Sequence, residues 1–286
     1  MIEPDQETPR GSSGAGFSDS VSVAFGDADA DVFGLLRLEL EPGSPGEVSA
    51  LALLFADREP VVTLASEASP VVEPAWTRLE AAGVALEVVE PLAAWRAQLT
   101  TPGGQLELEL SSASPPLEIS AGGLDGYAQL CRVRGTATIG SSVHQLECLG
   151  ERVHCWGAID WDRTRLARTL SAWLSPKQAL IVAAVRPEKA RGHDVEEISA
   201  QLTDGESVIG IEDARISTTQ DGEGRLRRAG LELWESDDAV YPRRLGGEAI
   251  CGSTLIFGGI ELESAFFEWH MGEQQGVGHC DLRRRP

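Results

Sequence analysis

Short apolar segments separated by turn residues follow one another along almost the whole chain. In Leu106–Leu110, apolar and polar side chains alternate at a spacing of two, which places the leucines on one face and Glu107 and Glu109 on the other. This period is typical of a half-buried strand in an antiparallel sheet. Strands do not alternate with long amphipathic helices, and this disfavours a parallel α/β sheet. The pattern therefore predicts an all-β fold of the barrel or sandwich type.

The predicted strands cover both halves of the chain. In the first half they are Val21–Phe25, Val32–Leu40, Val48–Phe55, Val61–Ala65, Val84–Val89 and Leu106–Leu110. In the second half they include Tyr127–Ile139, Val143–Cys148, Val153–Ile159, Ala179–Val185 and Ile260–Trp269. Residues 163–175 also fit one face of a helix, but we predict a strand because the neighbouring segments are strands. Prolines suited to a first helical turn predict short helices at Pro74–Ala82 and Pro91–Ala97.

Composition along the chain predicts two domains. Residues 1–16 are rich in Gly, Ser and Pro without periodic apolar positions, so we expect a disordered leader. The segment Ser111–Pro116 ends in two prolines, which cannot continue a ladder of hydrogen bonds. We therefore expect an N-terminal β domain over residues 17–116 and a C-terminal β domain over residues 117–286.

Charge and hydropathy exclude several classes of partner. The formal net charge is −21 with a pI near 4.6, and such a surface repels phosphate backbones and anionic lipid. We therefore expect no binding to nucleic acid. No apolar run approaches the ~20 residues of a membrane span, and the first residues lack a signal-peptide pattern. We expect a cytoplasmic protein without a membrane span, whose five scattered cysteines form no disulfide framework.

The chain lacks the familiar nucleotide and metal motifs. There is no phosphate-binding Gly-rich loop ending in Lys-Ser or Lys-Thr, no G-x-G-x-x-G between a strand and a helix, and no G-x-S-x-G elbow. His144, Cys148, His154 and Cys155 lie close in sequence, but their spacing matches no tight zinc pattern. Adjacent residues of a strand point to opposite faces, which separates His154 from Cys155. We expect no cofactor and no metal site.

Residues 150–161 carry the densest group of reactive and aromatic side chains in the chain. An unbroken strand would place Arg152, His154, Trp156 and Asp160 on one face and Val153, Cys155 and Gly157 on the other. We expect any functional site to include this segment.

Three stretches resemble the lipocalin-like superfamily that contains bacterial carotenoid hydratases (hydroxyneurosporene synthase) and the AttH-like proteins. They are Tyr127-Ala-Gln-Leu-Cys-Arg-Val-Arg-Gly135, the string Gly150-x-Arg152-x-His154-x-Trp156-Gly157-x-x-Asp160-Trp161, and Ala265-Phe-Phe-Glu-Trp269 followed by Gly276-Val-Gly278. The resemblance covers nearly the whole chain after residue 16. It implies two tandem lipocalin-like antiparallel barrels with few short helices, which hold a hydrophobic small molecule inside or between them. It also implies that members with activity hydrate or cyclise isoprenoid or polyene substrates by proton addition.

The residues suggest roles in such chemistry. Protonation of an alkene needs a strong acid, and we expect Asp160, beside Ile159 and Trp161, or the nearby His154 to supply the proton. Trp156, Trp161 and Trp173 would stabilise the resulting cation with their ring faces. Arg152 and Tyr127 complete the predicted ligand-binding set.

Alternative functions stay open at this point. The chain is also compatible with a non-catalytic carrier or sensor of a lipophilic ligand, since no unmistakable catalytic set is present. A purely structural role would make Arg152 and Asp160 a buried ion pair and His154 a satisfied core donor, with the tryptophans as packing.

Overall fold

The computed structural model describes residues 2–10, 16–40, 46–71, 75–189 and 196–286, and nearly all of its regular structure is strand. The strands form two antiparallel sheets. Within the described residues, the one helical element is a single 3-10 turn, Pro4–Gln6. The predicted all-β class, with two tandem lipocalin-like units, is confirmed.

The first sheet contains the first twelve strands. These are β1 Ser18–Asp27, β2 Val32–Leu40, β3 Glu47–Ala56, β4 Glu59–Ala65, β5 Ser69–Pro70, β6 Arg78–Ala81, β7 Val84–Glu90, β8 Ala94–Thr101, β9 Gly104–Ser112, β10 Leu117–Ala121, β11 Leu124–Ile139 and β12 Ser142–Gly157. Their order is β4-β3-β2-β1-β12-β11-β9-β8-β7-β6, with β10 beside β11 and β5 beside β3. Strands β2 and β3 also contact β6 and β7, because the sheet curls around one apolar core.

The second sheet contains the remaining nine strands. These are β13 Thr164–Ser175, β14 Gln178–Pro187, β15 Glu197–Asp204, β16 Ser207–Gly210, β17 Asp213–Gln220, β18 Leu226–Trp234, β19 Arg243–Phe257, β20 Ile260–Met271 and β21 Gln274–Arg284. Their order is β16-β15-β14-β13-β21-β20-β19-β18-β17, and β15 also contacts β17. This sheet therefore curls around a second apolar core.

The two sheets pack against each other through a third apolar layer. Phe266 of β20 is fully buried there, with its ring centroid 5.6 Å from that of Phe33 and 6.1 Å from that of Phe55, both in the first sheet. A Cβ atom added to Gly26 would lie 2.6 Å from Cγ1 of Val277, so the glycine permits the close approach of β1 to β21. Where the first sheet meets the second, its outer face is therefore core as well.

The structure corrects the two predicted helices. Residues 78–81 and 94–101 are strands β6 and β8, and the part of the first helix at Pro74 lies outside the described residues. In β8, the side chains of Trp95, Ala97 and Leu99 are buried and those between them are exposed, which is the period of a strand. Residues 164–175 of the segment that also fitted a helix form strand β13, so the predicted strand is confirmed.

The predicted domain boundary does not coincide with the change of sheet. Strands β11 and β12 follow Ser111–Pro116 in the chain, yet they pair with β9 and β1 of the first sheet. The chain passes to the second sheet between Gly157 and Thr164. Each of the two strands is 16 residues long. They lie side by side in the middle of the first sheet, between β1 and β9.

Residues 2–10 of the predicted leader contact the first sheet. The chain forms a turn there, and Glu7 inserts into the first sheet with 4% of its surface exposed. Residues 1 and 11–15 of the predicted leader lie outside the described part of the chain. Within the described residues, no helix is long and apolar enough to cross a membrane.

We predict that Phe266→Ala lowers the free energy of unfolding by about 3–5 kcal/mol, since a fully buried ring at the contact between the sheets is lost. Ile256→Ala is the matched control, because Ile256 is 53% exposed on the neighbouring strand β19 and should change stability by less than about 0.5 kcal/mol. Urea unfolding measures both variants. Equal effects of the two substitutions would contradict the packing of the sheets described above.

Candidate functional site

Strand β12 carries polar side chains on both of its faces. His154 lies directly opposite Val21 of β1 and Tyr127 of β11, and Arg152 lies opposite Val23. Residues directly opposite in an antiparallel pair point to the same side. Val21 and Val23 belong to the core of the first sheet. Arg152, His154 and Trp156 therefore point into the first sheet, and Glu151, Val153 and Cys155 point toward the second.

Four of the predicted site residues meet inside the first sheet. The ring centroid of His154 lies 4.9 Å from that of Trp156 and 5.7 Å from that of Tyr127. Arg152 Nη1 donates a hydrogen bond to the Tyr127 hydroxyl at 2.7 Å. Arg152, His154 and Tyr127 are each at most 1% exposed. The predicted shared face of Arg152, His154 and Trp156 is confirmed.

Glu7 of the N-terminal segment is the ionic partner of Arg152. Its Oε1 atom lies 3.1 Å from Arg152 Nη1 and accepts a hydrogen bond of 3.0 Å from the Tyr127 hydroxyl. Trp95 Nε1 donates to the same carboxylate at 3.1 Å. The alternative of an ion pair between Arg152 and Asp160 is therefore wrong, because Glu7 takes that position.

Asp19 and Arg10 complete this group of side chains. His154 Nε2 lies 2.7 Å from Asp19 Oδ1, and the Arg10 backbone amide donates to Asp19 Oδ2 at 2.6 Å. The Arg10 guanidinium stacks over Trp156 at 4.3 Å from the ring centroid. Burial lowers the pKa of His154, although the hydrogen bond with Asp19 opposes the shift. A neutral imidazole that donates its Nε2 hydrogen to Asp19 fits this arrangement.

A second group of polar side chains lies between the two sheets. Glu151 of β12 accepts a hydrogen bond of 2.9 Å from the Ser171 hydroxyl on β13. His279 of β21 lies with Nδ1 4.0 Å from Glu151 Oε1 and with Nε2 3.3 Å from Asp281 Oδ1. Arg37 of β2 forms an ion pair with Asp281.

The two carboxyl groups of this layer differ in charge state. Burial raises the pKa of Glu151 to about 7, and the hydrogen bond from Ser171 only partly offsets that effect. Burial acts on Asp281 in the same direction and is the largest single effect, but the interactions with Arg37, His279 and Arg283 together outweigh it and hold the pKa of Asp281 well below its usual range. Burial also lowers the pKa of His279. Near neutral pH Glu151 is thus partly protonated, Asp281 is ionised and the imidazole of His279 is neutral.

Two cavities adjoin these groups. The smaller is about 30 Å³ and is lined from both sheets by residues that include Glu151, Ser171 and His279. It has room for one or two water molecules. The larger is about 180 Å³, and its walls combine apolar side chains with the charged groups of Arg37, Glu39 and Arg283. The apolar side chains are Leu124, Ile159, Trp161, Phe257, Ile260 and Leu262. Arg37 and Arg283 line both, so the two spaces are adjacent.

Three predicted site residues lie elsewhere. Asp160 is exposed in the loop after β12 and lines an open groove of about 620 Å³ beside charged residues such as Arg163 and Glu188. The apolar surroundings predicted for it are wrong, because β12 ends at Gly157 and the loop turns outward. Trp161 lines the larger cavity between the sheets. Trp173 is buried in the apolar layer between the sheets.

Sequence reasoning missed most of the polar layer between the sheets. Glu151 lies inside the segment 150–161, and the alternation that was used for Arg152 and His154 also places it on the face of Val153 and Cys155. His279 and Asp281 are two residues apart, so a strand also places these two side chains on one face. Among the described residues, no group of three or more His, Cys, Asp and Glu side chains has the geometry of a metal site.

We predict that Glu151→Gln changes the pH dependence of stability. A pKa that is raised to about 7 in the folded state gives stability that is fully present below about pH 4.5 and is lost as the pH rises through 7. Relative to the variant, the wild type should therefore lose about 3 kcal/mol of unfolding free energy between about pH 4.5 and 8. Urea unfolding at several pH values measures the difference. Parallel curves for the two proteins would contradict the assignment.

Solved structures of three other proteins share this fold. A protein from Nitrosomonas europaea that is described as AttH has a TM-score of 0.70 at 10% identity and covers 94% of this chain and 92% of its own. Kievitone hydratase from Nectria haematococca has a TM-score of 0.65 at 9% identity and covers 93% of this chain and 88% of its own. CghA in complex with Sch210972 has a TM-score of 0.62 at 10% identity, with coverages of 94% and 88%. At these identities the likeness shows the fold, and it confirms the predicted resemblance to the AttH-like, lipocalin-like group at that level.

No curated protein matches the chain. The model of one family, Domain of unknown function (DUF7064), matches residues 3–286, and the chain belongs to that family.

Proposed function

We propose that the chain binds a hydrophobic, isoprenoid- or polyene-like molecule between its two sheets and transfers a proton from Glu151 to a double bond of that molecule. The observation that carries the proposal is the buried Glu151 carboxyl, whose pKa is raised to about 7, at the wall of a cavity between the sheets. A carboxylic acid that stays protonated near neutral pH is a suitable general acid. One of the proteins that share the fold is named a hydratase, which agrees with chemistry of this class.

The two cavities divide the tasks of binding and reaction. The apolar walls of the larger cavity, with Trp161, bind the body of the substrate, since burial of apolar surface drives such binding. The smaller cavity, beside Glu151 and His279, is large enough for a water molecule.

Hydration in this site has a balanced sequence of steps. The Glu151 carboxyl gives its proton to one alkene carbon, and water forms a bond to the other carbon. The neutral His279, 4.0 Å from Glu151, takes a proton from that water and passes it back to the Glu151 carboxylate. The net change is addition of one water. If a second double bond of the substrate attacks the cation instead, the same acid produces cyclisation, and loss of a proton to Glu151 completes that reaction.

The binding part of the proposal predicts an effect of Trp161→Ala on a neutral lipophilic probe. N-phenyl-1-naphthylamine should bind the wild type with a rise in fluorescence, and the substitution should weaken binding about tenfold, because an aromatic wall of the larger cavity is removed. Trp234→Ala is the matched control. Trp234 is also partly buried, but it stacks against Arg215 away from both cavities. Equal losses in the two variants would argue against binding between the sheets.

The catalytic part predicts turnover that depends on Glu151. A panel of geraniol, farnesol, geranylgeraniol and lycopene is incubated with the protein in 18O-labelled water, and mass spectrometry detects products that have gained one labelled water or have cyclised. Glu151→Gln should reduce the rate at least about 100-fold. Glu263→Gln, at a buried glutamate outside both cavities, should retain it. An unchanged rate in Glu151→Gln would contradict the proposed acid, and binding without turnover would favour the carrier.

A further inference from the structure

The interior of the first sheet holds the other group of polar side chains, which the proposed reaction does not use. It lies on the opposite face of β12 from Glu151 and consists of Arg152, His154, Tyr127 and the residues around them. The cost of burying an arginine is high unless its charge is paired. Glu7, which comes from outside the sheet, supplies the pairing charge at 3.1 Å.

The side chains around the Glu7 carboxylate have the chemistry of a carboxylate-binding site. One oxygen, Oε1, is close to three donors, which are Arg152 Nη1 at 3.1 Å, the Tyr127 hydroxyl at 3.0 Å and Trp95 Nε1 at 3.1 Å. Burial raises the pKa of Tyr127, so its hydroxyl stays protonated and able to donate. N–H and O–H donors that converge on one oxygen, with a guanidinium among them, are a strong arrangement for an anion.

Several polar atoms of this group are left over after Glu7 is bound. Within the described residues, the donors Arg152 Nε and Nη2 and Trp76 Nε1 and the acceptor His154 Nδ1 are buried and make no hydrogen bond to protein atoms. Arg152 is 1% exposed, His154 0% and Trp76 2%. Glu7 alone therefore leaves several buried polar atoms of the site without a hydrogen-bond partner. This favours a ligand with more polar atoms than one side-chain carboxylate.

Aromatic rings surround the same position. The Trp76 and Trp156 ring centroids lie 5.8 Å and 4.9 Å from that of His154, and Tyr127 lies 6.4 Å from Trp156. The Arg152 guanidinium lies 5.5 Å from the Trp95 ring centroid. Such walls suit a planar apolar body, because edge-to-face contacts between rings are favourable.

We propose that the interior of the first sheet is a binding site for a carboxylate with a planar apolar body, and that Glu7 of the chain's own N-terminal segment occupies it in this structure. A ligand of this class replaces the Glu7 carboxylate at Arg152, Tyr127 and Trp95. The segment is held in addition by the Arg10 amide on Asp19 and by the Arg10 side chain on Trp156. Binding of the ligand therefore competes with docking of residues 2–10. This site is independent of the proposed reaction between the sheets.

The test compares benzoate with benzamide, which has the same ring but no charge, by isothermal titration calorimetry on the full chain. Glu7→Ala removes the internal competitor, so benzoate should bind that variant at least about tenfold more tightly than the wild type. Benzamide should bind both equally. The melting temperature of Glu7→Ala should also rise by about 3 °C or more in saturating benzoate. Glu3→Ala is the matched control, since Glu3 lies in the same segment and is exposed.

Two outcomes would overturn the proposal. They are equal benzoate affinity in Glu7→Ala and wild type, or a gain for benzamide as large as that for benzoate. If Glu7→Ala does not fold because Arg152 is left unpaired, the wild type provides the second measurement. Saturating benzoate should speed tryptic cleavage after Arg10 by releasing the segment, while benzamide should not. An unchanged cleavage rate in benzoate would equally refute the proposal.

Discussion

Residues 150–155 of strand β12 are buried on both faces, and this constraint organises the rest of the molecule. Its inward face belongs to the interior of the first sheet and its outward face to the contact with the second sheet. Because side chains alternate at a period of two, neighbouring residues such as Glu151 and Arg152 enter different environments. One short segment therefore supplies polar groups to two separate places.

The contrast between Glu151 and Asp281 follows from the distribution of positive charge between the sheets. Arg37 pairs with Asp281, so that carboxyl group keeps its charge despite burial. Glu151 receives a hydrogen bond from the neutral Ser171, and the nearby charge of Asp281 disfavours ionisation further. Two carboxyl groups whose pKa values are driven apart are a common basis for acid chemistry near neutral pH.

The alternation of apolar and polar side chains in the sequence predicted much of the fold. The features that it did not predict depend on contacts between segments that are distant in sequence. Alternation identified most strands and the shared face of Arg152, His154 and Trp156. The proline at position 91 suggests a helix over Pro91–Ala97. The alternating burial that begins at Trp95 instead belongs to strand β8. The burial of Glu7 depends on donors more than 80 residues away in sequence, and no local pattern in a Gly- and Ser-rich segment indicates such a contact. Asp160 was chosen for its apolar neighbours in sequence, but the end of β12 directs it to solvent.

The most direct test of the account is an NMR titration of the Glu151 side-chain carboxyl carbon in 13C-glutamate-labelled protein, with the resonance assigned by its absence in Glu151→Gln. We expect a midpoint near pH 7, which corresponds to a carboxyl group that is still largely protonated below neutral pH. A midpoint near the ordinary value of about 4.3 for glutamate would mean that Glu151 is ionised between the sheets. It would contradict its role as the acid.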